Sequence, residues 1–178
     1  MKRRKITYND TVKEAIIYSL LKLCEGKPLQ QITISEIVAL AGVSRSSFYR
    51  NFETKEQVLL RYIQQKYNQY FSKELLSNKK YEEIHFEDYL FKKCHFVREN
   101  SDFFTLLQKN NLLDYIFKNL EPTLNQFLSG NVSLYSPYHL SMFSGASAGF
   151  IQCWIDRKFQ ETEEDLIALL QQYRKKDI

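Results

Sequence analysis

The chain has 178 residues, enough for one or two modest domains with real hydrophobic cores. Its hydrophobic fraction is 44%, and it contains only 5 Gly and 3 Pro to interrupt regular structure. The net charge is +4, and no apolar run approaches the roughly 20 residues of a membrane span. Because apolar residues recur with a period of about 3.6 almost throughout, the sequence predicts an all-α protein without a membrane-spanning segment.

The positive charge is concentrated in the first third of the chain. Residues 1–55 contain 10 Lys and Arg against 5 Asp and Glu, whereas residues 56–178 contain 15 against 16. This asymmetry favours contact between the first part of the chain and phosphate groups. The basic arm from Lys2 to Lys5 has two interpretations, a phosphate contact or a disordered terminus that aids solubility.

The first predicted helix begins at Asn9 or Asp10, either of which can cap it, and runs to about Cys24. Its buried face is formed by five residues at helical spacing: Val12, Ile16, Ser19, Leu20 and Leu23. The segment from Glu25 to Pro28 then interrupts the helical pattern.

Residues Thr33 to Lys55 have the pattern of a helix-turn-helix. Thr33 and Glu36 are spaced as a capping box at the start of the first helix. Its buried face follows at helical spacing: Ile34, Ile37, Val38 and Ala41. Gly42 ends this helix, because glycine tolerates a positive φ, and Ser44 caps the next one. The motif is therefore predicted with both of its helix boundaries.

The second helix of the motif is predicted over Arg45 to Phe52. Phe48 and Phe52 point inward, which leaves five residues exposed: Arg45, Ser46, Ser47, Tyr49 and Arg50. Short polar and cationic side chains at the start of a helix suit contact with the DNA major groove. Arg45 can donate two hydrogen bonds to guanine, whereas the serines are less selective.

Six further helices are predicted after the motif, covering about Thr54 to Ser77, Phe86 to Glu99, Asp102 to Gln108, Asn110 to Leu128, Tyr138 to Phe159 and Thr162 to Arg174. Ser77 to Glu83 and Ser129 to Pro137 are predicted loops, and Pro122 should kink or restart its helix. We expect a DNA-binding domain over residues 1–55 and a larger helical domain over residues 56–178.

A specific order of residues spans the end of the motif, A-G-V-S-x-x-x-F-Y-x-x-F-x-x-K-E from Ala41 to Glu56. Together with Thr33 and Ile37, it resembles the tetracycline-repressor (TetR) family of bacterial transcription regulators. More weakly, Phe103–Leu107, Ala148–Phe150 and Trp154 resemble the regulatory domain of a Firmicutes-type branch. The resemblance implies about nine helices, three in a DNA-binding domain and the rest in a ligand-binding and dimerising domain. It also implies a sequence-specific DNA-binding regulator, more often a ligand-responsive repressor than an activator.

The resemblance assigns DNA contacts to eight positions: Thr33, Ser44, Arg45, Ser46, Ser47, Tyr49, Arg50 and Lys55. Thr33, Tyr49 and Lys55 match positions that usually hold phosphates, although Tyr49 could instead be a half-buried packing residue. Many family members carry Gly where this chain has Ser46, so base preference cannot be taken from a relative. The helix dipole disfavours a cation at a helix N-terminus, where Lys55 lies. A phosphate bound at the same place would explain this lysine, because both the ammonium and the helix N-terminus attract an anion.

A regulator of this kind needs a second site, and the C-terminal domain is rich in aromatic residues that could line an apolar cavity. The candidates for ligand contact are Tyr62, Tyr89, Phe96, Phe104, Tyr115 and Trp154. Aromatic residues at helical spacing are more commonly core residues, so both interpretations stay open for each. His95, Arg98 and Asp114 are the candidate polar groups for orienting a ligand, with solvated surface as the alternative.

The last two predicted helices carry a candidate homodimer interface, because small residues let a partner helix approach closely. Its predicted residues are Ser144, Gly145, Ala148, Gly149, Leu166, Leu169 and Leu170. The other expected partners are a double-stranded DNA operator and an unidentified small-molecule or protein effector. We expect no membrane partner.

Three alternatives concern function. His85, His95 and His139 are scattered without a catalytic motif, so an enzyme is the least favoured, and we expect neither a cofactor nor a metal. The same fold could serve a coactivator or a regulator controlled by a protein partner. Cys24, Cys94 or Cys153 could sense oxidants, although buried reduced thiols are the better interpretation. The basic N-terminus lacks the apolar stretch of a signal peptide, so we expect a cytoplasmic protein.

Overall fold

The computed structural model describes residues 8–77, 86–128 and 137–175, and these contain helices and turns but no strand. Nine α-helices occur within these ranges: α1 Tyr8–Gly26, α2 Ile34–Ala41, α3 Arg45–Asn51, α4 Lys55–Ser77, α5 Phe86–Glu99, α6 Ser101–Lys109, α7 Leu113–Leu128, α8 Pro137–Asp156 and α9 Glu163–Lys175. A single 3-10 turn, Leu29–Gln31, precedes α2. The prediction of an all-α fold with about nine helices is confirmed for the described part of the chain.

Contacts divide the chain into two compact units, one ending at Lys66 and the other beginning at Tyr67. We call the described residues of the first unit the head and those of the second the body. The division falls inside α4, which is a single helix in both units. The domain boundary predicted after residue 55 lies at the start of this helix and stays a prediction.

The head is built from α1, α2 and α3, which all pack against one another, together with the first part of α4. The apolar faces of these four helices meet in one core. Each helix contributes a fully buried residue to it, and these are Ile16, Ile37, Phe48 and Val58 in chain order. Burial of these side chains supplies the apolar free energy that holds four short segments together.

The body contains α5 to α9 and the end of α4. Helix α5 packs against α6, α8 and α9, while α7 packs against α6 and α8. Aromatic rings fill much of its interior, and Phe96 is surrounded by Tyr67, Tyr70, Phe71 and Phe104 at centroid distances of 5.4, 5.5, 6.4 and 6.2 Å. The high aromatic content of the sequence is thus used largely for packing within this unit.

Three helices end in a turn in which positive φ lets the chain fold back over the last helical turn. The first residue with positive φ is Gly42 after α2, Asn111 after α6 and Lys158 after α8, with φ of 65°, 55° and 57°, and after α8 the following Phe159 also has a φ of 57°. In each case the next residue donates its N–H to a carbonyl five positions earlier, at 3.1, 2.9 and 3.0 Å. Gly and Asn are common at this position, whereas Lys is not.

These turns explain where the predicted boundaries were wrong. Helix α7 begins at Leu113 rather than Asn110, because Asn111 belongs to the turn that ends α6. Helix α8 ends at Asp156 rather than Phe159, since the chain reverses at Lys158 and Phe159. The phenyl ring of Phe159 then lies edge-on against Trp154, with ring centroids 5.1 Å apart.

Three other sequence predictions can be placed. Helix α7 continues through Pro122, so that proline does not restart the helix. The predicted arm Lys2–Lys5 and the interiors of the predicted loops Ser77–Glu83 and Ser129–Pro137 lie outside the described residues. Among the described helices, none is long and apolar enough to cross a membrane.

Candidate nucleic-acid interface

Helix α3 presents one buried face and one exposed face. Phe48 and Phe52 are buried in the head, and their ring centroids are 6.0 Å apart. Tyr49 lies edge-on to Phe48 at 5.5 Å, yet 58% of its surface is exposed. Arg45 and Arg50 are exposed on the same helix. Packing therefore fixes the helix from one side and leaves a tyrosine and two cations on the other.

A serine cluster begins α3. The hydroxyl of Ser44 accepts a hydrogen bond from the backbone N–H of Ser47 at 3.1 Å, which is the predicted N-cap. The same hydroxyl lies 2.8 Å from the Ser46 hydroxyl and 3.0 Å from the Ser47 hydroxyl. Ser46 is exposed, whereas Ser47 is half-buried. Ser44 and Ser46 are therefore the two members of this cluster with exposed surface for a nucleic acid.

Arg45 is tied to the neighbouring helix. Its Nη2 atom donates a hydrogen bond to the hydroxyl of Ser35 on α2. A guanidinium has five N–H donors in a planar fork, so this contact orients the group without using all of its donors. Ser35 is thus a residue that the sequence reasoning missed, since its partner lies ten positions away.

The capping box predicted at the start of α2 is present. The Thr33 hydroxyl accepts from the Glu36 N–H at 3.3 Å, and the Glu36 carboxylate accepts from the Thr33 N–H at 2.9 Å. Lys27 donates to the other carboxylate oxygen. Hydrogen bonds from Lys27 and Thr33 lower the pKa of the Glu36 carboxyl to about 2. The N–H and hydroxyl of Thr33 therefore both donate to a carboxylate that is ionised at neutral pH, and a DNA phosphate bound at Thr33 would have to displace it.

Lys55 at the start of α4 has backbone partners. Its Nζ atom donates to the carbonyl oxygens of Leu29 at 2.5 Å and Ile32 at 2.9 Å. These carbonyls belong to the first residue of the 3-10 turn and to the residue that follows the turn, so the ammonium joins α4 to the segment that leads into α2. The Thr54 hydroxyl caps α4 by accepting from the Gln57 N–H at 3.3 Å. The sequence reasoning explained Lys55 by a phosphate, but in this structure the carbonyls stabilise the cation.

The six aromatic candidates for ligand contact are not alike. Tyr62 is half-buried and belongs to the head, where the Lys66 ammonium lies 5.3 Å from its ring centroid. The other five belong to the body. Phe96, Phe104 and Trp154 are fully buried there. Tyr115 is half-buried, and the side chain of Tyr89 lies outside the described residues. Ligand contact stays a prediction for these residues.

Two of the three polar candidates link α5 to the segment where α8 ends and α9 begins. Arg98 donates to the carbonyls of Phe159 at 3.1 Å and Glu161 at 2.7 Å, and its guanidinium lies 4.5 Å from the Trp154 ring centroid. The Nδ1 atom of His95 lies 3.0 Å from a Glu163 carboxylate oxygen. These contacts hold the connection between α8 and α9 against α5. The third candidate, Asp114, is exposed in the first turn of α7.

The seven candidate dimer residues divide by accessibility. Ser144 and Leu166 are buried inside the body, so they have almost no surface to offer a partner. Gly145, Gly149 and Leu169 are exposed, and the remaining two, Ala148 and Leu170, are intermediate. A Cβ atom added at Gly145 or Gly149 would meet no atom within 4 Å. The exposed glycines therefore leave open space beside α8.

Lys93 was not singled out by the sequence reasoning. It lies on α5 between the buried residues Leu90 and Val97, three and four positions away, and it is itself only 7% exposed. The signal was available, since these spacings place all three on one helix face. A lysine on such a face is unexpected, because Lys is rarely buried.

The cysteines and metal-binding side chains offer little chemistry. Burial raises the pKa of the Cys24 thiol to about 11 and that of the Cys94 thiol to about 12. Both are therefore protonated and weakly nucleophilic at neutral pH. Cys153 is exposed. No group of three or more metal-ligating side chains occurs in the described part of the chain.

Two family models match the chain. The model described as "Bacterial regulatory proteins, tetR family" matches residues 16–62, which include all of α2 and α3. The model described as "Transcriptional regulator C-terminal region" matches residues 84–176, more than half of the chain. No curated protein is significantly similar to it. Together with the exposed face of α3, these matches show that the chain belongs to the TetR family and is a DNA-binding transcriptional regulator.

Proposed function

We propose that this regulator is a homodimeric repressor whose head binds operator DNA and whose body binds a small effector that releases the DNA. The observation that carries this proposal is the exposed face of α3, where Arg45, Ser46 and Tyr49 lie opposite the buried Phe48. A helix fixed from behind by packing, with cationic and polar groups in front, has the features of a major-groove reader. As a regulator acting on bacterial DNA, it would work in the cytoplasm.

Within this proposal the exposed residues have different roles. Arg45 contacts a guanine edge with two N–H donors, which discriminates between base pairs. Tyr49 and Arg50 contact phosphates beside the groove, which adds affinity without sequence information. Ser46 adds a hydroxyl whose present partner is Ser44, so its donor can be redirected to a base or a phosphate.

The proposed homodimer uses α8 and α9. Met142, Gly145 and Gly149 are exposed on α8 at spacings that place them on one side of the helix, and Leu169 is exposed on α9. The open space beside both glycines lets a second α8 approach closely. A two-fold axis would place this same surface on both subunits. The two heads could then contact half-sites about 34–36 Å apart.

The proposed response to effector is a shift between two populations. One form of the dimer has heads spaced for the operator, and the effector binds the other form more tightly. Helix α4 is the element through which we expect the response to pass, because it is continuous from Lys55 to Ser77 and contributes residues to both units. The effector must bind one form more tightly than the other, because equal affinity for both forms would leave the ratio of their populations unchanged.

The DNA-binding part of the proposal is tested with Arg45→Ala. Mobility-shift titrations should compare DNA from upstream of the protein's own gene with random DNA of the same length. We expect the upstream affinity to fall by about 1–3 kcal/mol, which is roughly 5- to 150-fold in Kd, with a smaller change on random DNA. Arg61→Ala is the matched control, because Arg61 is an exposed arginine of the same unit but lies on α4. An equal loss of affinity for both DNAs would show that Arg45 does not recognise bases.

The dimer is tested with Gly149→Arg. This position is exposed, with open space around it in the single chain, so the new side chain should leave the subunit fold intact. Light scattering should show a dimer for the wild type and a monomer for the variant, which should also lose affinity for operator DNA. Asn68→Arg, at an exposed position on α4, is the control that keeps the dimer. A wild-type monomer at micromolar concentration would overturn this part of the proposal.

A further inference from the structure

The interior of the body contains a lysine. Lys93 on α5 is buried, and its Nζ atom donates a hydrogen bond to the hydroxyl of Ser147 on α8 at 2.7 Å. The same ammonium lies 5.3 Å from the ring centroid of Phe117 on α7. Three helices therefore meet around one buried cation. Removing an ammonium from water is costly, and a side chain needed only to fill space at this point would be apolar.

Two serines of α8, one helical turn apart, are connected to this cation by hydrogen bonds. The hydroxyl of Ser147 accepts from Lys93 and donates to the carbonyl oxygen of Ser144 at 3.0 Å, so its single proton is already used. Ser144 is 3% exposed, and its own hydroxyl has no hydrogen-bond partner within the described part of the chain. A buried hydroxyl without a partner is unusual in folded proteins. The body therefore holds a buried hydroxyl that can still form a hydrogen bond, one helical turn from the serine that contacts Lys93.

We infer that Lys93 and Ser144 form the recognition site for the carboxylate of a small effector with an apolar body. One carboxylate oxygen would accept from the Lys93 ammonium and the other from the Ser144 hydroxyl, and both would be charge-assisted hydrogen bonds. The apolar part of the molecule would pack against Phe117, whose ring is stacked on Phe104 with centroids 6.0 Å apart. This inference rests on the proposed control by a small effector and names the chemistry of that effector.

The surroundings favour a carboxylate over a phosphate. A phosphate brings close to two negative charges and three oxygens, and protein sites usually meet them with arginines or several backbone N–H groups. The groups that the inference assigns to the anion are the Lys93 ammonium and the Ser144 hydroxyl, and the Phe117 ring lies beside the ammonium. A single negative charge on two oxygens matches this set of donors.

The test measures thermal unfolding of the full-length protein without DNA. The probes are benzoate and butyrate, each at about 10 mM, a concentration that stabilises a protein even when Kd is millimolar. Their controls are the neutral amides of the same shape, benzamide and butyramide, at equal ionic strength. We expect at least one carboxylate to raise the melting temperature by about 2–4 °C and its amide to leave it unchanged.

Three variants assign the effect to these residues. Lys93→Met should abolish the carboxylate shift, and Ser144→Ala should reduce it at least by half. Lys118→Met is the matched control, because it removes the same charge from an exposed position on α7 and should keep the full shift. If Lys93→Met does not unfold cooperatively, Ser144→Ala decides the matter, since it keeps the cation and loses only one oxygen.

Several outcomes would overturn the inference. They are the absence of any carboxylate shift, an equal shift with the amides, or a full shift in both Lys93→Met and Ser144→Ala. A shift with inorganic phosphate but not with carboxylates would show that the site recognises a different anion. Mobility-shift assays of DNA binding, run without benzoate or butyrate, test the proposed function separately from this inference. Lys118→Met should bind DNA like the wild type, and a wild type that did not bind operator DNA would refute the proposed function while leaving a carboxylate shift standing.

Discussion

The head and the body are stabilised in different ways. In the head, polar side chains near the surface fix the starts of helices: Thr33 and Glu36 at α2, Ser44 at α3 and Lys55 at α4. In the body, long helices pack through an interior rich in aromatic rings, of which Trp154 is the largest fully buried member.

This difference determines how closely stability and DNA binding are coupled. In the head, three of the four residues that hold the helices in place, Thr33, Ser44 and Lys55, are also among the positions that the family resemblance assigns to DNA. A change at one of them should therefore alter the fold and the affinity together. In the body, large buried rings stabilise the unit without touching DNA, so stability there can change independently.

The largest effect is expected for Trp154→Ala in the body. Trp154 is fully buried, lies edge-on to Phe159 and donates its Nε1–H to the Glu161 carbonyl at 3.1 Å. Its removal should leave a large cavity and lower the free energy of unfolding by about 3–5 kcal/mol. Urea denaturation followed by far-ultraviolet circular dichroism measures this loss.

The control for this prediction is Phe91→Ala, which removes an exposed aromatic side chain of the same unit and should change stability by less than about 0.5 kcal/mol. Equal losses in both variants would show that the aromatic interior does not dominate the stability of the body.

The next effect concerns Lys55→Met in the head. Methionine keeps an unbranched chain of similar length but cannot donate to the carbonyls of Leu29 and Ile32. We expect the free energy of unfolding to fall by about 1–2 kcal/mol and the affinity for specific and random DNA to fall together. Lys22→Met, at an exposed position on α1, should change neither by much. Weaker DNA binding with unchanged stability would contradict this prediction, because it would show that Lys55 contributes to DNA binding but not to the stability of the head.

Effects of the same size or smaller are expected at the turns that end α2 and α8, one in each unit. Gly42→Ala places a side chain on a residue with a φ of 65°, a conformation that residues with a Cβ atom disfavour. It should therefore destabilise the head by about 1–2 kcal/mol. Lys158→Gly removes the same conflict at a φ of 57° and should stabilise the body by about 0.5–1 kcal/mol. Melting temperatures should therefore move in opposite directions. A shift of the same sign in both variants would contradict the role of positive φ.

The smallest effect is expected in the pH dependence of the head, because the Glu36 side chain is 42% exposed and its ion pair is screened. The folded state lowers the pKa of Glu36 from 4.5 to about 2. Its contribution to stability is therefore complete above pH 4.5 and is lost as the pH falls towards 2. The stability difference between wild type and Glu36→Gln should narrow over this range. Lys27→Met should weaken this dependence without abolishing it, since the bonds from Thr33 remain.

The features of the head that sequence could predict are local ones. Thr33 and Glu36 are three positions apart, Gly42 directly follows its helix, and Ser44 directly precedes the next. Such spacings specify a cap whatever the rest of the chain does. The partners of Lys55 lie 26 and 23 positions away, so no local pattern could reveal them.

In the body the sequence identified helices but not their contacts. Arg98 was considered for a ligand, yet its acceptors are backbone carbonyls more than 60 positions later. The end of α8 was predicted three residues too late, because neither Lys158 nor Phe159 is a usual turn residue. The turn forms there because Phe159 returns to cover Trp154, which only the folded arrangement shows.

The carboxylate of Glu36 has a consequence for how the head meets DNA. At neutral pH this group is ionised, and it accepts hydrogen bonds from both the N–H and the hydroxyl of Thr33. The free protein thus already carries an anion at the start of α2, the place where a DNA phosphate is expected. A phosphate bound at Thr33 would replace the Glu36 carboxylate as the acceptor, and the affinity gained there would be the difference between the two sets of hydrogen bonds.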